Sequence, residues 1–213
     1  MDTELFFLIN GHHNQFFDAF FYEVSQKTVW IPLYVALLYA VWRNYSWRGV
    51  LGILLMVGIG MLFTDWANSH FLRPWIGRLR PSNPENPIAM LVHIVHNKRG
   101  GGYGFPSCHS ANIWLLTFLV AHWLRQRLMT ITMLTIALLW CYSRVYLGYH
   151  YPGDILGGFI LATIVAYAIT IYHTKRMRFT PLTFPHSIWV PVIVASTTII
   201  CFLLHALVQV ILQ

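Results

Sequence analysis

Charge is what this 213-residue sequence has least of. Asp, Glu, Lys and Arg together make up 10%, against about a quarter in an ordinary soluble domain. A water-soluble fold could not cover its surface with so few. Acidic residues are the scarcer sign, 7 against 14 Lys and Arg. Cysteine is also sparse. Cys108, Cys141 and Cys201 are too few and too scattered for a disulfide framework or a structural zinc site. There is no internal repeat and no low-complexity linker. The opening MDTELFFLIN is acidic and carries no cleavage site, so membrane targeting is expected from internal segments.

What is there in quantity is apolar. Hydrophobic types reach 57% and aromatics 16%, and the mean hydropathy is +0.56. Such a chain is not disordered. It reads as one all-α integral membrane domain over residues 1–213. Six spanning segments are expected, over Thr28–Trp42, Val50–His70, His109–Leu124, Leu128–Tyr146, Ile155–His173 and Ser187–Leu212. The stretch Leu5–Val24 has Phe6, Phe7, Phe16, Phe17, Phe20 and Phe21 broken by Asn10–Asn14. It reads as one or two amphipathic pieces in the membrane interface, within an interfacial segment 1–26. Residues 74–106, rich in Pro and Gly, form a long irregular loop, and such loops are often functional.

Six spans put this loop and Ser143–Asp154 on one face. The opposite face carries Arg43, Arg48, Arg125, Arg127, Lys175, Arg176 and Arg178. The loop face carries Lys27, Arg73, Arg78, Arg80, Lys98, Arg99 and Arg144. If Arg73, Arg80 and Arg144 serve a substrate, the remaining cations favour the opposite face as cytoplasmic. The basic surplus fits anionic lipid or a phosphorylated substrate better than nucleic acid in so hydrophobic a chain.

Three clusters sit at span ends on the loop face. Arg73-Pro-Trp-Ile-Gly-Arg-Leu-Arg80-Pro81 places Arg73 and Arg80 on one side if helical. Guanidinium forks suit phosphate oxygens, and they also suit plain headgroup anchoring. Phe105-Pro106-Ser107-Cys108-His109-Ser110 precedes an apolar run. Ser107 is a candidate N-cap, and a helix N-terminus favours anions; a cap with an interfacial His is the simpler alternative. Ser143-Arg144-x5-His150-x3-Asp154 holds a cation, an imidazole and a carboxylate. Asp154 could fix one ring nitrogen of His150 and leave the other nucleophilic, or the two could be a structural pair. His93 and His96, His12 and His13, and the intramembrane Asp65 are weaker candidates.

Taken together, in this order, the three motifs resemble those of the type-2 phosphatidic acid phosphatase superfamily, membrane lipid phosphatases related to vanadium haloperoxidases. The resemblance covers Arg73–Asp154 in motifs and most of the chain in span pattern. It departs at two positions, where the family usually has Lys for Arg73 and Gly for Cys108. The resemblance implies His150 as nucleophile, Asp154 as its orienting partner and His109 as general acid. It implies phosphate binding by Arg73, Arg80, Arg144, Ser107 and the backbone at Cys108. No cofactor, metal, nucleic acid or obligate protein partner is implied; the partners are the bilayer and a lipid phosphate. An inner-membrane enzyme with an extracytoplasmic site is expected. Undecaprenyl diphosphate is the first expected substrate. Lipid A, phosphatidylglycerophosphate and lipid-to-lipid phosphotransfer are the alternatives.

Overall fold

The computed structural model describes residues 1–176 and 184–212. Those residues form α1 (Asp2–Asn10), α2 (Gln15–Ser25), α3 (Ile31–Asn44), α4 (Trp47–Trp66), α5 (Arg73–Ile76), α6 (Cys108–Leu124), α7 (Arg127–Tyr146), α8 (Pro152–Arg176) and α9 (Trp189–Ile211). Arg178, assigned above to the opposite face, lies outside the described residues.

Among the described residues, four helical stretches are long and apolar enough to cross a bilayer: Trp47–Ile76, Arg127–Tyr146, Pro152–Arg176 and His186–Ile211. A fifth span is available if α2 and the Thr28–Asn44 stretch, bent by 68° at their junction, cross as one broken span. The expected count of six is therefore not reproduced by length. The shortfall lies at the two segments that were already short: α3 has 14 residues and α6 has 17. At 1.5 Å per residue, α6 is about 25 Å long, just under a hydrocarbon core of about 30 Å. It can be short because it is the centre of the bundle, packed by α4, α7 and α8, with Ala111, Leu115 and Leu119 fully buried.

The N-terminal segment does form two pieces, broken at Gly11–Asn14, with the Asn14 side chain accepting from the Phe17 N–H as an N-cap. It is more than an interfacial skirt. Phe20, Phe21 and Val24 of α2 are buried in the main core, where α2 lies against α7 and α9. Phe6 of α1 is sealed under Tyr151. The apolar face of α2 is thus turned largely to protein, with Phe17 left exposed.

Two local devices set the site. The chain after α4 passes through a π-helical turn, Ala67–Leu72, in which the Arg73 N–H donates to Asn68 O five residues back. Such turns are rare and frequent at functional sites; this one re-aims the end of the helix just before Arg73. Gly77 then ends α5 in the left-handed conformation, φ 64°, with its N–H on Arg73 O. Glycine adopts that geometry at no steric cost.

The second device is the close approach of α8 to α6. A Cβ on Gly158 would lie 2.5 Å from Ser107 O and 2.8 Å from Ser110 Cβ. Gly158→Val should lower the thermal midpoint of the detergent-solubilised protein, by the equivalent of about 1–3 kcal/mol for overpacking. Gly58→Ala, whose Cβ would meet nothing within 4 Å, should leave it unchanged or raise it slightly, since Ala favours a helix interior over Gly. Equal midpoints for the two variants would refute this account of the helix contact.

Candidate active site

The three motif clusters do meet at one end of the bundle. His150 lies in the short turn between α7 and α8, with no exposed surface. Its Nδ1 is 3.3 Å from Asp154 Oδ2, and its Nε2 is 3.4 Å from Arg80 Nη1. A guanidinium can only donate, so Nε2 accepts and Nδ1 carries the proton towards Asp154. That tautomer leaves the Nε2 lone pair facing the arginines. Complete burial, followed by the charges of Arg80, Arg144, His109 and Arg73, holds His150 well below the ordinary histidine range and so keeps it neutral.

Asp154 sits in the first turn of α8, where the helix dipole favours a carboxylate. Pro152 fills the first helical position, which needs no N–H. Asp154 Oδ2 accepts from the Tyr151 N–H at 3.0 Å, the reach-back of a capping box. Its Oδ1 accepts from Arg78 Nη1 at 3.2 Å. Arg78 in turn donates to Asp2 of α1 and lies 4.0 Å over the Tyr151 ring.

Arg80 does not share a helix face with Arg73, as the seven-residue spacing had suggested. The helix stops at Gly77, and Arg80 stands on an extended piece where Leu79 bridges Tyr103. Its Nε donates to Tyr103 O. Arg73 instead reaches sideways to Pro106 O, with Nε and Nη2 both at 3.3 Å. Arg80 is held below its usual pKa by burial and by Arg73, partly offset by Asp154.

Arg144 is 8% exposed, near the end of α7. It donates to Ser25 Oγ and stacks 4.2 Å over Tyr149. Its Nε is buried with no hydrogen-bond partner, which a fold tolerates rarely and which suits a donor kept for a ligand. Ser107 caps α6 by accepting from the Ser110 N–H at 3.3 Å, and its own N–H donates to Asp154 O. Cys108 and His109 therefore open α6, where backbone N–H groups have no helical partner. His109 lies within the field of Arg144, Lys27, Arg80 and Arg73.

His109 and Cys108 also line the end of a cavity of about 430 Å³ between α3, α4 and α6. Its walls are Leu37, Val41, Ile53, Val57, Leu116 and Val120, and it reaches Trp123. From His109 to Trp123 is about 21 Å at 1.5 Å per residue.

Two participants were missed from sequence. Arg78 was seen only as one of three clustered arginines, and Asp2 gave no signal. A contact 76 residues away in sequence has no local pattern. The His93-x-x-His96 pair does not converge. His93 pairs with Asp18 at 2.9 Å and stacks on His13 with the planes 1° apart. Ring lone pairs lie in the ring planes, so parallel stacked rings do not aim at one ion. His96 rests edge-on against Tyr22. His12 bonds Leu8 O.

With that geometry in place, similarity to known proteins decides the family. Residues 49–178 match the PAP2 superfamily. The chain belongs to it. A lipid A 4'-phosphatase of Bacteroides thetaiotaomicron is 44% identical over 161 residues, covering 76% of this chain and 72% of that protein. One of Porphyromonas gingivalis is 31% identical over 179 residues, covering 84% and 75%. The fold is that of the crystal structure of a PAP2-type phosphatidylglycerolphosphate phosphatase from Bacillus subtilis. That match has a TM-score of 0.62 at 24% identity and covers 84% of this chain and 87% of that one. The protein is thus an integral membrane PAP2 enzyme, a phosphatase of membrane lipids.

The tautomer assignment can be read directly. In ¹⁵N-histidine NMR spectra, His150 should keep a neutral Nδ1–H, Nε2-lone-pair signature as the pH falls through 6.5, the ordinary histidine value. Below that value the unfolded chain binds a proton that the folded site refuses, so stability should fall with falling pH. A His150 signal titrating near the ordinary value would refute the buried neutral state.

Proposed function

We propose that this enzyme hydrolyses the 4'-phosphate of lipid A or a close relative, through a phosphohistidine on His150. The identity to the Bacteroides thetaiotaomicron lipid A 4'-phosphatase is the observation that carries the substrate. It displaces undecaprenyl diphosphate, which the sequence reading put first. Relatives named undecaprenyl-diphosphatase resemble this chain at lower identity, and the chemistry of the site is shared by both substrates. Hydrolysis is preferred over phosphotransfer to a second lipid on the same ground.

The geometry supports the following steps. The phosphate enters between Arg73, Arg80 and Arg144, with the Ser107 hydroxyl and the opening N–H groups of α6 completing the cradle. Arg80 exchanges the neutral Nε2 for phosphoryl oxygens, a better acceptor, and so frees the lone pair. The bound phosphate dianion offsets the arginines and lets His109 carry a proton; His150 Nε2 then attacks phosphorus, the bond to the lipid oxygen breaks, and the His109 imidazolium gives that oxygen its proton and is left neutral. Asp154 stabilises the charge that spreads onto the ring. Water then attacks the P–N bond, His109 takes the water proton, and phosphate leaves with His150 neutral again. Charge builds on the phosphoryl oxygens at each step, and preorganised guanidinium donors act there at no reorganisation cost. Three of them supply what a divalent ion supplies in other phosphatases.

The cavity beside His109 gives the acyl chains a place within the bundle while the headgroup reacts. Arg43, Arg48, Arg125, Arg127, Lys175 and Arg176 gather at the other end of the helices, which supports a cytoplasmic assignment there. The site then opens outside the cytoplasm, at the inner membrane of a bacterium.

Inorganic phosphate release by detergent-purified protein, with EDTA present, is the test. Lipid A 4'-phosphate should be cleaved with a higher kcat/KM than undecaprenyl diphosphate or phosphatidylglycerophosphate. His150→Ala should abolish release, and His109→Ala should cost about 10²- to 10⁴-fold, the range for general acid–base catalysis. Activity that survives His150→Ala would remove it as nucleophile. Activity lost to EDTA and restored by a divalent ion would overturn the metal-free steps. Preference for undecaprenyl diphosphate would restore the first substrate reading.

A further inference from the structure

Asp65 lies near the end of α4 and lines the cavity together with Cys108, His109 and Lys27. Its Oδ1 accepts from Asn112 Nδ2 of α6 at 3.0 Å. The other end of that amide, Asn112 Oδ1, accepts from Thr64 Oγ1 at 2.7 Å. The amide is thus fixed in orientation by α4 at one end and spends a donor on Asp65 at the other. The Cys108 thiol borders the same carboxyl group. Deeper in the cavity the walls are apolar.

An acidic side chain in a membrane segment costs free energy and marks function by default. Here it also sits next to an anion site built from Arg73, Arg80 and Arg144. A carboxylate repels phosphate, so Asp65 does not hold the phosphoryl group. Nor does it serve an acyl chain, which offers no donor. What lies at this position, once the phosphoryl group is on the arginines and its bridging oxygen faces His109, is the part of the leaving group nearest the reacting bond. A carboxylate is an acceptor, so the group it selects must carry a hydroxyl or an amide N–H.

We propose that Asp65, held by Asn112, is a headgroup subsite for a sugar hydroxyl or amide N–H of the leaving group. This subsite lets the enzyme distinguish phosphorylated glycolipids from lipid phosphates whose phosphate joins a plain hydrocarbon or diester backbone. The proposal rests on the lipid phosphatase reading above and sharpens it. A prenyl or diacylglycerol leaving group offers no donor to the acceptor capacity that Asn112 leaves free on Asp65 at the mouth of the cavity, and a polar group of the site left unmatched is what rejects an analogue most strongly.

The experiment compares kcat/KM for lipid A 4'-phosphate and for phosphatidic acid of matched acyl length, in wild type, Asp65→Ala, Asp65→Asn and Asn112→Ala. Wild type should prefer the glycolipid. Asp65→Ala should lower the ratio of the two kcat/KM values about 10- to 100-fold, the span expected for one hydrogen bond to a charged acceptor. Asp65→Asn keeps size and one acceptor oxygen, and should fall between the two. Asn112→Ala, which releases the carboxylate from its support, should also lower the ratio. Parallel losses on both substrates, with the ratio intact in all three variants, would overturn the proposal and leave Asp65 as a tie between α4 and α6. A wild type that cleaves phosphatidic acid as well as the glycolipid would overturn it while sparing the phosphatase reading. A wild type that cleaves neither would sink both.

Discussion

A neutral imidazole sealed between a carboxylate and a guanidinium sets the terms for everything around it. His150 must have its Nδ1 proton claimed by Asp154, and must not be protonated at Nε2. Burial and a ring of positive charge do the second job; the capping geometry of α8 does the first. Neither would hold alone. A buried imidazole without Asp154 would have no fixed tautomer, and Asp154 without Arg78 would be a buried acid with one fewer donor. The shell continues outward in the same way. Arg78 is shared with Asp2, and Asp2 also accepts from the Gly153 N–H at 2.9 Å, so α1 closes over the first turn of α8.

The helices are arranged to deliver these groups rather than to maximise regular packing. The π-helical turn before Arg73, the left-handed Gly77, and the contact of Gly158 with Ser107 all break an ideal bundle, and all lie within the site. This is where local regularity is expected to give way to function. Away from it, α6 is sheathed by α4, α7 and α8 in ordinary apolar contact. The cavity between α3, α4 and α6 is the exception, a space within the membrane-embedded part that begins at the chemistry and runs towards Trp123.

Much of this was legible in the residues. The charge deficit and apolar runs gave the membrane class. The N-cap at Ser107 was visible from a polar residue before an apolar run, and the His150–Asp154 pairing from a four-residue spacing. Patterns failed where the controlling contact is long in sequence. Arg73 and Arg80 looked like one helical face because nothing in periodicity says that Gly77 will end the helix. The pairing of Arg78 with Asp2 and Asp154 left no pattern because each contact spans 76 residues. The span count was left unconfirmed for a different reason. Hydropathy marks an apolar segment without saying whether lipid or protein surrounds it, and α2, α3 and α6 divide their surfaces between the two. The substrate lay beyond the motifs altogether, since a shared phosphoryl apparatus carries no record of the leaving group.

The link from Asp2 through Arg78 to Asp154 has a consequence for how the enzyme is made. Its members come from α1, from the loop after α5, and from the start of α8. A ribosome delivers the first of them more than 150 residues before the last. During synthesis the arginines after α4 are therefore made before Asp154 exists to hold His150, and the link closes only once the start of α8 has been made and α1 lies against it. The closed link thus reports that the first and the eighth helix have found each other.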